Sequence, residues 1–118
     1  MSVSVNTKRL REATLEDDEF LVELVEMFLV DAADQLALLE AAINSPDQIE
    51  VSSKAHRLRG ACSNVGAEAM AQLCEELEEQ SASGTVIESS VGSRLRDEFD
   101  RVNTALLERV SDAKSRVS

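Results

Sequence analysis

The stretch Val51-Ser52-Ser53-Lys54-Ala55-His56-Arg57-Leu58-Arg59-Gly60-Ala61-Cys62-Ser63-Asn64-Val65-Gly66 decides how the chain is read. Its apolar residues Val51, Ala55, Leu58, Cys62 and Val65 recur at steps of three and four, the spacing of one helical face. The segment before it, Ser45-Pro46-Asp47-Gln48, supplies an N-cap Ser, a Pro at the first helical position and a Gln at the third, so this helix is expected to open at Pro46. Asn64-Val65-Gly66 reads as its stop, with Gly66 free to take the left-handed conformation.

Upstream, residues 15 to 44 predict one long amphipathic helix with Phe20, Leu24, Phe28, Leu36, Leu39 and Ile43 facing the core, and Thr14 with Asp17 as a capping box. Downstream, Met70, Leu73, Cys74 and Leu77 mark a third helix that fades into Gln80-Ser81-Ala82-Ser83-Gly84. Val91, Leu95, Phe99, Val102, Leu106 and Val110 mark a last long one. Its start is open: Thr85 with Glu88 would cap it, whereas Ser89-Ser90 and Gly92 would delay it. Four such helices with short links predict an all-α antiparallel four-helix bundle, single-domain over residues 1–118 with its core at about 15–113. A short extra helix through Leu10 is expected at the N-terminus.

Composition agrees. One Pro and four Gly in 118 residues favour long helices, and three Phe with no Tyr or Trp leave the core to aliphatic side chains. A net charge of −11 argues against nucleic acid or an anionic membrane as partner, since both select basic surfaces. No apolar run reaches transmembrane length, Met1-Ser2-Val3-Ser4 lacks signal-peptide character, and a cytoplasmic protein is expected. Cys62 and Cys74 fit neither a disulfide framework nor a zinc spacing and are read as small buried hydrophobes. Met27 and Met70 are read as core filler, Glu16-Asp17-Asp18-Glu19 as acids complementing a helix N-terminus, and Glu75-Glu76-Leu77-Glu78-Glu79 as a solvated face.

His56 is the only histidine. At about 100° per residue it lies roughly 140° from the centre of the apolar stripe, and so faces outward among Ser52, Ser53, Arg59, Gly60 and Ser63. Neutral imidazole is nucleophilic near pH 7 and leaves again readily, which suits it to carrying a phosphoryl group. From Val51 to Ala67 there is no acid, where composition would place about three, while Lys54, Arg57 and Arg59 fall in the same window. Arg59 shares the face of His56 and could reach an oxygen of a phosphoryl group on the ring. Gly60, one turn after His56, costs about 1 kcal/mol against Ala in a helix interior, a cost that close approach by another molecule would explain.

These residues resemble a known family. His56-Arg57-Leu58-Arg59-Gly60, then Val65-Gly66-Ala67, then Leu73-Cys74-Glu75-Glu76-Leu77-Glu78 are similar, without a gap from Ala55 to Glu78, to the histidine phosphotransfer (HPt) domains of two-component phosphorelays. The resemblance implies that His56 is the phosphoacceptor, that Arg59 stands where the family usually has Lys, and that Gly60 leaves room for a docking receiver domain. It also implies that Glu78 accepts a hydrogen bond from the ring. Arg57, Lys54 and Ser63 complete the expected phosphate- and partner-binding set. Expected partners are receiver domains and hybrid sensor kinases, which exchange the phosphoryl group with His56. The receiver is expected to supply Mg²⁺ and the acceptor aspartate, with no cofactor or metal held by this chain. No Gly-rich phosphate loop or Asp pair accompanies His56, so a monomeric carrier without kinase activity is expected, not an enzyme. The alternative is a non-phosphorylated helical adaptor using the same face; a metal-binding bundle would need ligand pairs that the sequence lacks.

Overall fold

Each apolar stripe forms a helix whose ends are set by side-chain and backbone caps. The computed structural model describes residues 4–45, 47–88 and 90–117. The helices are α1 (Thr7–Ala13), α2 (Asp18–Asn44), α3 (Gln48–Asn64), α4 (Glu68–Ala82) and α5 (Ser90–Val117), with no strand among the described residues. Successive long helices run antiparallel; α2 packs on α3 and α5, α3 packs on α4, and α4 meets α5 least. This is the expected bundle with its short extra N-terminal helix, elongated to 50 × 24 × 21 Å. No described helix is long and apolar enough to cross a membrane.

The core contains Val51, Ala55, Leu58, Cys62 and Val65 from the α3 stripe, all 0–1% exposed. Opposite them lie Met70, Cys74 and Leu77 of α4 and the α5 stripe from Leu95 to Val110. The buried set extends from Val5 and Leu10 to Ala113, wider at the N-terminus than expected. Leu73 and Val91 are half-buried at its edge.

Several boundaries differ from expectation. Ser45 closes α2, with its N–H bonded to Ala41 and Ala42 carbonyls, and Asp47 N-caps α3 by accepting from Glu50 N at 3.1 Å. Pro46 lies outside the described residues, as does Ser89. Thr14 is not an N-cap: it is buried at the end of α1, its hydroxyl donating to Leu10 O at 2.9 Å. Asp17 caps α2, accepting from Glu19 N and Phe20 N. Between them Leu15 and Glu16 both take left-handed conformations (φ 55 and 56), which breaks the helix that residues 15–44 had suggested. The face of α2 is also rotated. Leu21, Val25, Phe28, Ala32, Leu36 and Leu39 are buried, whereas Phe20 is 38% and Met27 71% exposed, and Leu24 and Ile43 are half-buried. α5 opens at Ser90, the later of the two starts.

The α3–α4 turn fixes the register on which the site depends. Gly66 N donates to Ser63 O at 3.2 Å and Ala67 N to Cys62 O at 2.9 Å, the double bond of a Schellman cap, with Gly66 at φ +75. The N-terminal segment is pinned over this turn. Asn6 N donates to Gly66 O at 2.8 Å, and the Asn6 amide donates to Glu68 Oε1 at 3.1 Å.

Candidate functional site

Because Ala55 and Leu58 are fully buried, the turn of α3 that carries them presents His56 to solvent, with 69% of its side chain exposed. Arg59, one turn later, lies on the same flank and is 35% exposed. The third member comes from α4. Leu77 is buried in the α3–α4 seam, so its neighbour Glu78 emerges at the seam edge, 20% exposed, beside the imidazole.

His56 Nδ1 stands 3.2 Å from Glu78 Oε2 and 3.1 Å from Arg59 Nη2. Arg59 Nε and Glu78 Oε1 are 2.8 Å apart as an ion pair. Both atoms are buried, yet the contact lacks hydrogen-bond alignment. Nε2 has no partner among the described residues. One edge of the ring is thus held between a carboxylate and a guanidinium, while the other faces outward.

The two groups at Nδ1 make opposite demands. A carboxylate only accepts, so a bond to Glu78 requires a proton on Nδ1 and leaves the Nε2 lone pair free. A guanidinium only donates, so a bond from Arg59 requires the Nδ1 lone pair and places the proton on Nε2. The two bonds cannot coexist on one nitrogen. A proton on Nδ1, bonded to Glu78, would leave the outward nitrogen with a free lone pair.

The structure brings His56, Arg59 and Glu78 together but not the whole expected set. Lys54 turns to Glu50, with Nζ 4.0 Å from Oε2 and a side chain only 26% exposed. Arg57 is exposed and has no ion-pair partner among the described residues. Ser63 is exposed, two turns beyond His56 on the same face. Gly60 is exposed, and a Cβ built there would meet nothing within 4 Å. Internal packing therefore gives no reason for glycine at that position.

Beneath the site lie the two thiols, both fully buried and free. Burial pushes the Cys62 thiol far above its ordinary range, with Cys74 adding to the shift. The Cys74 thiol is pushed up to about 12, chiefly by burial and then by the Glu78 charge, against an opposing contribution from Arg59. Neither is a nucleophile near neutral pH. Among the described residues no group of three or more His, Cys, Asp and Glu could hold a metal ion.

The Hpt domain family model matches residues 23–105. Among solved structures, the chain is similar to histidine-containing phosphotransfer protein B from Pseudomonas aeruginosa, with a TM-score of 0.84 and 25% identity over 95% of this chain and 98% of that one. The HPT domain of a sensor hybrid histidine kinase from Shewanella shares the fold, with a TM-score of 0.78 and 22% identity over 92% of this chain and 95% of that one. No curated protein matches the chain by sequence. The chain belongs to the Hpt domain family, the histidine phosphotransfer carriers of two-component phosphorelays.

Proposed function

We propose that His56 is the phosphoacceptor and that the phosphoryl group is carried on Nε2. The observation that supports this is the arrangement of the ring: Nδ1 faces Glu78 at 3.2 Å and Arg59 at 3.1 Å, and Nε2 has no partner among the described residues. With Nδ1 protonated, the Nε2 lone pair attacks the phosphorus of a receiver's aspartyl phosphate. The Nε2–P bond forms, the P–O bond to the aspartate breaks, and the aspartate carboxylate leaves with that electron pair. The ring becomes cationic, and Glu78 stabilises it through the Nδ1 proton. Return to a second receiver aspartate reverses these steps.

Arg59 has a separate role. In the unphosphorylated chain it balances Glu78. Once a phosphoryl group sits on Nε2, the guanidinium one turn away is the cation within reach of its oxygens. Mg²⁺ neutralises charge on the transferring group and is brought by the receiver. We read the chain as a carrier without kinase activity of its own, a reading that the Hpt domain match supports.

The test is direct. A receiver domain charged with acetyl phosphate and Mg²⁺ is mixed with the protein, and acid-labile, base-stable label is followed. The native chain becomes labelled; His56→Gln does not, while its melting stays near native because the residue lies outside the core. Label persisting on His56→Gln would contradict the assignment.

A further inference from the structure

Ile49 and Val86 are the two most exposed large apolar residues among those described, at 82% and 84%. They stand at one end of the bundle, where the starts of α3 and of the α4–α5 link meet. There the Gln48 amide makes a long hydrogen bond, 3.5 Å, to Thr85 O. Neither is needed for packing, and each exposes hydrocarbon in a chain of net charge −11.

Their position relative to His56 gives them meaning. Ile49 precedes His56 by two helical turns, about 10 Å along the axis and within about 20° around it. Between them the face carries Ser52 and Ser53, small and uncharged. A protein that binds specifically covers about 800 Å² on its partner, a disc of roughly 16 Å radius. A receiver domain centred on Nε2 of His56 therefore reaches Ile49, and the Gln48–Thr85 bond holds the link that carries Val86 at the same end of α3. The charge on this route also suits that occupant. Between Ile49 and His56 this stripe carries no carboxylate, Glu50 being turned to Lys54, so nothing on it opposes an apolar contact beside the phosphoryl group.

We infer that Ile49 and Val86 form an apolar contact for the receiver domain, anchoring it while its aspartate is presented to His56. The inference rests on His56 being the phosphoacceptor. It adds a binding determinant outside the His56–Arg59–Glu78 cluster, one that acts on association with the receiver and leaves the chemistry at the ring alone.

The double variant Ile49→Ser/Val86→Ser tests it, with Leu107→Ser, an exposed apolar residue of α5, as control. Receiver domains are charged with acetyl phosphate and Mg²⁺, and the one that labels the native chain fastest is used to measure transfer rate against receiver concentration. Expected is a KM raised about tenfold with kcat within about twofold of native, as for loss of uniform binding. The phosphohistidine lifetime without receiver and the KM of Leu107→Ser should stay at native values. A native KM in the double variant, an equal rise in Leu107→Ser, or a fall in kcat alone overturns the inference. Should the double variant melt early, Val86→Ala in the exposed link carries the same test, with a KM rise of about threefold expected and a native KM overturning it. Label on His56→Gln would instead remove the phosphoacceptor on which the inference rests, so the two failures are distinguishable.

Discussion

At Nδ1 of His56 a carboxylate and a guanidinium compete for one ring nitrogen, and the winner decides whether the outward nitrogen can attack. The 3.2 Å contact to Glu78 and the 3.1 Å contact to Arg59 are close to equal in length, so charge decides. The Arg59 charge is already met by Glu78 Oε1 at 2.8 Å, whereas Glu78 Oε2 has the ring as its partner, which favours the proton on Nδ1. Glu78→Ala removes the winning side. The imidazole ¹⁵N spectrum of the native chain should show the Nδ1–H tautomer in excess, and Glu78→Ala should shift the population toward Nε2–H. Phosphotransfer should fall with it by roughly tenfold, about 1.4 kcal/mol. An unchanged tautomer ratio in Glu78→Ala would show that Glu78 does not control the ring. Part of this was legible in the sequence. The outward direction of His56 and the shared flank of Arg59 follow from helical spacing alone. The contact with Glu78 does not, because it depends on how α4 is registered against α3; the family resemblance pointed to it and geometry supplies the distances. Lys54 shows the opposite limit: it lies in the acid-free window, but Glu50, one turn back and just outside that window, takes it.

At the scale of elements, two glycines with the same backbone conformation do different jobs. Gly66 (φ +75) and Gly84 (φ +73) both close helices from the left-handed region. A Cβ on Gly84 would meet nothing within 4 Å, but on Gly66 it would stand 2.6 Å from Asn6 O, a backbone atom of the pinned N-terminal segment. Gly84→Ala should therefore cost only the left-handed penalty, about 1 kcal/mol. Gly66→Ala should cost that and the displacement of residues 4–10, about 2–4 kcal/mol together, read as a lower denaturation midpoint. Equal losses would mean the N-terminal segment is not bearing on the turn. The sequence marked Gly66 as a stop because glycine after a periodic stripe is the common helix C-terminus, and that reasoning is local. Boundaries failed where one short link holds two capping residues. Ser45 and Asp47 are both good N-caps, and only the direction of their bonds tells that the first closes α2 while the second opens α3. On α2 two apolar stripes interleave, Phe20-Leu24-Met27 beside Leu21-Val25-Phe28. Periodicity cannot choose between them, since the choice is made by where α3 and α5 lie.

For the whole molecule, the buried thiol pair ties stability to pH. Folding raises both thiol pKa values above the ordinary 9.0, Cys74 to about 12 and Cys62 upward in the same sense. Between the unfolded and folded values the unfolded chain has released protons that the native chain retains. The unfolded state therefore binds fewer protons, and stability falls as pH rises. The contribution is whole below the ordinary thiol pKa and is lost above it, at about 1.4 kcal/mol per pH unit for each thiol. Cys62→Ala/Cys74→Ala should start less stable because it leaves cavities, but its melting temperature should decline less steeply above that pKa. Parallel declines would mean the thiols ionise in the native bundle. These cysteines were read from their place on the apolar stripes, and their burial follows that reading, since a stripe that packs buries whatever it carries.

The central claim concerns one nitrogen. The protein is labelled with ¹⁵N in its single imidazole and phosphorylated by a receiver domain charged with acetyl phosphate and Mg²⁺. Its ring resonances and ³¹P–¹⁵N couplings are then recorded. Phosphorus coupled to Nε2 of His56, with Nδ1 still protonated, is the expected result. Phosphorus on Nδ1, or on any residue other than His56, would contradict it.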